Sequence, residues 1–161
     1  YLLLTCEQTA LLPATILSRC AVHEIKVNSE YTKKWLASLN IANYSWLELF
    51  ARQPLLVQQW QNDNQLEAVD SLYKFATEIK DSHNFSALVD ILNKDHSLVN
   101  VFALFLTEHL KTQLVLGMDF FNYQKAQSAI SEFLYNNSHV LGLNMELAIS
   151  QLAFTLRESQ N

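Results

Sequence analysis

The chain has 161 residues, 50% of them hydrophobic and 17% charged, with a formal net charge of −5. An acidic chain makes a poor autonomous nucleic-acid binder, because phosphate contacts need clustered Lys and Arg. Only two glycines and two prolines exclude a turn-rich β fold and favour long helices, and a charged fraction below the usual quarter or so implies large helix–helix interfaces.

The longest uncharged apolar stretch near the middle, residues 96–107, is too short to span a bilayer. Tyr1-Leu2-Leu3-Leu4 lacks a basic leader and runs straight into polar residues, so it does not read as a signal peptide. It starts in mid-strand without a methionine, as expected of a piece of a longer protein. The two cysteines, Cys6 and Cys20, cannot make a cysteine-only zinc site, and two thiols in a core-like setting fit a reducing, cytoplasmic protein.

Residues 1–5 form a continuous apolar run of strand length, which predicts a strand buried on both faces. Cys6-Glu7-Gln8-Thr9 follows as the loop at its C-terminal end, where ligands sit in open α/β sheets. Ala10-Leu11-Leu12 predicts one helical turn, which Pro13 ends or follows with another. Ile16 and Leu17 are expected to anchor Ser18-Arg19-Cys20 against the core, and residues 21–25 read as a short closing strand. Lys26-Val27-Asn28 is a polar connector and marks the first domain boundary.

Ser29 is a good N-cap for a helix over residues 30–39, with Tyr31, Trp35 and Leu39 at helical spacing. Asn40 and Asn43 flank a turn, residues 45–50 start a second short helix, and Pro54 suits the first position of a third carrying Leu55, Leu56, Gln59 and Trp60. Asn62-Asp63-Asn64 breaks the pattern, after which helical periodicity runs to the end. Leu66, Val69, Tyr73, Ala76 and Ile79 mark one helix, and Phe85, Leu88 and Leu92 a second, capped at Asn84 or Ser86. Leu98, Val101, Phe102, Phe105, His109 and Thr112 line a long third, with Leu104, Leu106 and Leu110 covering much of its remaining surface, so it is expected to be buried nearly all round. Gly117 is a natural residue to end it. Tyr123, Ala126, Ile130, Phe133 and Val140 define a fourth helix ending near Gly142. Asn144 caps a fifth, with Glu146 in its first turn and Met145, Ile149, Leu152 and Leu156 inward. Residues 64–160 therefore predict a five-helix bundle, with no internal repeat or low-complexity tract.

Three segments carry a family resemblance: Leu3-Leu4-Thr5, Leu11-Leu12-Pro13-Ala14-Thr15-Ile16-Leu17-Ser18-Arg19-Cys20, and Gly142-Leu143-Asn144-Met145-Glu146-Leu147. With the order of elements, they resemble the C-terminal part of the delta-prime family of bacterial DNA polymerase III clamp-loader subunits, which are AAA+ related. The Ser-Arg-Cys triplet is the specific signal for clamp loaders. The resemblance covers the whole chain in layout, and closely only its two ends. It implies a mainly α chain in three parts: remnant strands at the C-terminal end of an AAA+ core (residues 1–26), a small helical lid (27–62) and a five-helix collar for oligomerisation (63–161).

The same resemblance implies a structural, stator subunit that helps load the sliding clamp onto primed DNA. It is not catalytic by itself but belongs to a DNA polymerase holoenzyme, a hetero-oligomeric ring of clamp-loader subunits that meets clamp and DNA indirectly and no membrane. Arg19 would be an arginine finger, acting in trans on the γ-phosphate of ATP with its Mg²⁺ at the neighbouring subunit, with Ser18 and Cys20 positioning it. A rigid guanidinium fork suits the spread charge of a transferring phosphoryl group. Thr5 matches a sensor threonine, and no cofactor is bound by this chain's own residues. The family's departures are visible here: no phosphate loop or Walker B run occurs, and Arg52 precedes the third helix of the lid, where ATP-binding relatives have a glycine and later an arginine on the helix. The alternatives are the C-terminal part of an ATP-hydrolysing motor subunit, which an upstream phosphate loop would favour, and a helical adaptor without AAA+ chemistry.

Plainer readings stand beside these. Arg19 is otherwise a surface arginine after a loop, Thr5 a residue of β propensity ending a strand, and Cys20 a small buried packing residue. His23, His83, His96, His109 and His139 are dispersed without metal-ligand spacing, and His109 on its apolar stripe is expected to be a core or interface residue. Ser18 near His23 lacks a nucleophile elbow, and Glu7, Glu24, Asp95 and Glu108 form no acid pair. Phe120 and Phe121 are adjacent and cannot both face one core, which marks them as a candidate interface.

Overall fold

The structure is a computed structural model that describes all residues except 1, 7, 26, 27, 42, 43, 80–83, 160 and 161. Tyr1, Glu7, the connector residues Lys26 and Val27, the turn residue Asn43, and His83 thus lie outside the described residues. The chain is mainly α. A one-turn helix α1 (Ala14–Leu17) is followed by α2 (Ser29–Ser38), α3 (Pro54–Asn62), α4 (Leu66–Glu78), α5 (Ser86–Lys94), α6 (Leu98–Val115), α7 (Phe120–His139) and α8 (Met145–Glu158), with short 3₁₀ turns at Thr9–Leu11 and Leu47–Phe50.

Of the strands expected at residues 1–5 and 21–25, the described parts, 2–5 and 21–25, are not formed, and the described residues contain no strand. A strand needs a ladder partner for its N–H and C=O groups and covered faces for its side chains. Here Leu3 is 89% exposed and Ile25 92%. The expected anchoring of the α1 segment is not formed either. Leu17 is only half-buried, Ile16 is exposed, and no described residue before Thr32 is buried. Cys20, expected to be a packing residue, is also exposed.

From α2 onward the local signals explain the elements. Asn28, one residue before the expected cap, starts α2 by accepting from the Glu30 and Tyr31 amides at 3.0 and 3.2 Å, as asparagine does well. The inward face of α2 carries Thr32 and Leu36, with Trp35 and Leu39 partly buried beside it and Tyr31 left exposed. Asn40 and Asn64 close α2 and α3 with positive φ of 61° and 56°. Around each, the two crossed bonds of a Schellman motif form: Ile41 N to Leu36 O at 3.0 Å and Asn40 N to Ala37 O at 3.0 Å, then Gln65 N to Trp60 O at 2.7 Å and Asn64 N to Gln61 O at 3.1 Å. Gly117 ends α6 the same way, with Met118 N bonded to Gln113 O at 3.0 Å. Pro54 stands at the start of α3, where its missing N–H costs nothing. Asn144 caps α8 through the Leu147 amide at 3.1 Å.

The helices α4 to α8 pack on one another, with α6 between α4 and α7, and α8 against α7 and α5. The face of α6 differs in part from expectation. Leu98, Val99, Phe102, Ala103, Phe105, Leu106 and Leu110 are buried, whereas Leu104 and Thr112 reach solvent. On α8, Met145, Ile149, Leu152 and Leu156 all point inward, joined by Ala153. Val140 falls outside the buried face of α7, just past the helix end at His139.

One buried cluster runs from Leu36 to Leu156, so residues 27–62 and 63–161 contribute to a common core. Its joint is aromatic. Trp46 is wholly buried and meets Tyr44 at 5.0 Å, Phe50 and Trp60 at 5.9 Å and Phe105 at 6.3 Å between ring centroids. Phe105 is also met edge-on by Phe50 at 5.9 Å and by Tyr73 at 5.3 Å. The Trp46 indole donates to Asp70 Oδ1 at 3.2 Å, and Asp70 Oδ2 pairs with Lys74 at 2.7 Å. A second polar tie joins the start of α4 to the turn before α6: Gln65 Nε2 donates to Asp95 Oδ2 at 2.7 Å, and the Ser97 amide to Asp95 Oδ1 at 2.9 Å.

Two outcomes follow from these joints. Trp46→Ala removes the ring at the centre of the cluster and should cost about 3–5 kcal/mol, read as a lower midpoint in urea; Trp46→Phe should cost clearly less. Hydrogen bonding by Ser97, and secondarily by Gln65, holds the Asp95 carboxyl below its ordinary range against the cost of partial burial. A depressed folded-state pKa stabilises the fold above the unfolded value, near 4, and that contribution is lost as pH falls through the folded value. The stability difference between wild type and Asp95→Asn should therefore be largest at neutral pH and shrink in urea titrations repeated down to pH 3.

Candidate functional site

Among the described residues, the Ser18-Arg19-Cys20 triplet is held by local bonds. Pro13 enters α1 with φ −56° and no donor to satisfy. Ser18 closes the turn, its amide donating to Ala14 O at 2.9 Å and its hydroxyl to Thr15 O at 3.3 Å, and the Arg19 amide donates to Ile16 O at 3.1 Å. Arg19 thus leaves the last turn of a helix at a defined point. Its side chain is exposed and makes no ion pair or side-chain hydrogen bond among the described residues. Ser18 and Cys20 are exposed beside it. Thr5 lies exposed in the irregular stretch before residue 6, and no hydrogen bond joins it to the triplet among the described residues.

Arg52 is exposed just before α3. Among the described histidines, His23, His96 and His139 are exposed and His109 is half-buried. His139 stacks on Tyr135 at 4.2 Å, its Nδ1 lying 2.9 Å from the Tyr135 carbonyl oxygen. Among the described residues no three His, Cys, Asp or Glu side chains gather as a metal site would require.

A second feature stands at the turn between α6 and α7. Val115, Leu116, Phe120 and Phe121 are all exposed, Phe120 at 61% and Phe121 at 73%. The backbone there is well fixed: Asp119 caps α7 by accepting from the Phe121 and Asn122 amides at 2.9 and 3.2 Å, and Phe120 stacks on Tyr123 at 6.3 Å. Both phenylalanines occupy the first turn of α7, beyond its buried stripe of Ala126, Ile130 and Phe133. An open groove runs from Phe121 between α7 and α8, lined by Gln124, Lys125, Ser128, Glu132 and Thr155. Lys125 is tied across to Glu158 at 3.1 Å. Val140, Leu141, Leu147 and Phe154 are further exposed apolar residues around α8.

The pairing of Phe120 with Phe121 was open to sequence reasoning, because neighbouring helical residues point apart. Val115 and Leu116 were missed. Their signal is position: they follow the last buried residue of α6, Leu110, by more than a turn and precede the terminating Gly117.

Comparison with family models, curated proteins and solved structures gives no match to this chain. Chemically, the two features offer an exposed cation following a one-turn helix and an apolar surface on a capped helix end. Because both thiols are exposed, Cys6 and Cys20 should react fully with a thiol reagent in the folded protein. A thiol that reacts only on adding denaturant would place that cysteine in a core.

Proposed function

We propose that the chain is the structural part of a clamp-loader subunit of delta-prime type, which offers Arg19 to a neighbouring ATPase subunit and joins the ring through its C-terminal helices. The observation that carries the proposal is the string Leu11–Cys20 together with the exposure of Arg19 directly after a one-turn helix. An arginine that acts on another chain's nucleotide must be unengaged at home and stand on a support that fixes its Cα.

The chemistry would run as follows. During transfer of the γ-phosphoryl group, negative charge spreads over its equatorial oxygens, and a guanidinium brought in from outside stabilises that charge. Ser18, bonded back to Thr15, holds the turn that aims Arg19, and Cys20 follows it. ATP and Mg²⁺ would belong to the neighbour. Thr5 would act as a sensor only where an intact ATP site stands beside it. Primed DNA and the sliding clamp would be met through the assembled ring, as suits a chain with a net charge of −5. No described helix is long and apolar enough to cross a membrane, and a cytoplasmic location is part of the proposal.

The helices α4 to α8 would serve as the collar, and the apolar residues at the α6–α7 turn support an assembling role: exposed aromatic side chains on a capped helix end are costly to leave in water. A second reading, a helical adaptor without AAA+ chemistry, is favoured by one observation, the absence of strands on either side of Arg19 among the described residues.

The deciding experiment is Arg19→Ala in a reconstituted loader whose other ATP sites are silenced. Turnover at the neighbouring site should fall on the order of 10³-fold, with Arg19→Lys also impaired because an ammonium lacks the planar fork. Unchanged clamp- and DNA-stimulated turnover would remove the finger and leave the adaptor. Separately, replacing Phe120 and Phe121 by Ser should weaken incorporation into the ring on size-exclusion chromatography while leaving the isolated chain's melting temperature within a few degrees of wild type; normal incorporation would exclude this surface from assembly.

A further inference from the structure

We draw no further inference here: the strongest candidate, the exposed apolar patch of Val115, Leu116, Phe120 and Phe121 at the turn between α6 and α7, belongs to the assembly surface already proposed, and nothing in the structure shows what else covers it.

Discussion

The indole of Trp46 must meet two demands at once: apolar neighbours on every side of its rings, and an acceptor for its N–H where no water reaches. Phe50, Trp60 and Phe105 meet the first and Asp70 the second. These residues come from the 3₁₀ turn Leu47–Phe50, from α3, from α4 and from α6. A single side chain therefore sets how the short helices after α2 sit on the long ones. Asp70 gives one oxygen to Trp46, while the other meets Lys74 one turn further along the same helix. Val69, Leu72 and Ala76 form the buried face of α4.

The helices around this joint were legible because their signals are local. Asn64, Gly117 and Asn144 end or start helices through bonds reaching at most five residues along the chain, and periodicity alone marks Met145, Ile149, Leu152 and Leu156 as inward. On α2 the reading slips twice: Asn28 rather than Ser29 is the cap, and packing buries Thr32 while Tyr31 stays exposed. On the long helix α6, periodicity distinguishes faces poorly, because leucines and phenylalanines stand all round it; only the packing of α4 and α7 decides that Leu104 is exposed and Leu106 is not.

The two expected strands failed for a different reason. An apolar run reports that a segment would gain from burial, not that a partner exists to bury it. The ladder that would make residues 2–5 a strand is non-local, and no described residue supplies it. The candidate site divides the same way. The turn that carries Arg19 is a local construction of Pro13, Ala14, Thr15 and Ser18, so a short string of residues was enough to find it. Under the proposed reading, what stands opposite its guanidinium would belong to another chain and leave no mark in this one.

The described residues around Arg19 contribute no buried side chain, and the core cluster begins at Leu36. Folding and the proposed chemistry are therefore energetically uncoupled. If the proposed function holds, loss of the Arg19 side chain would leave a chain that still folds and takes its place beside its neighbours. Under the proposed reading such a chain would interfere with the intact one rather than simply be missing, and the genetic signature of the site would be dominance.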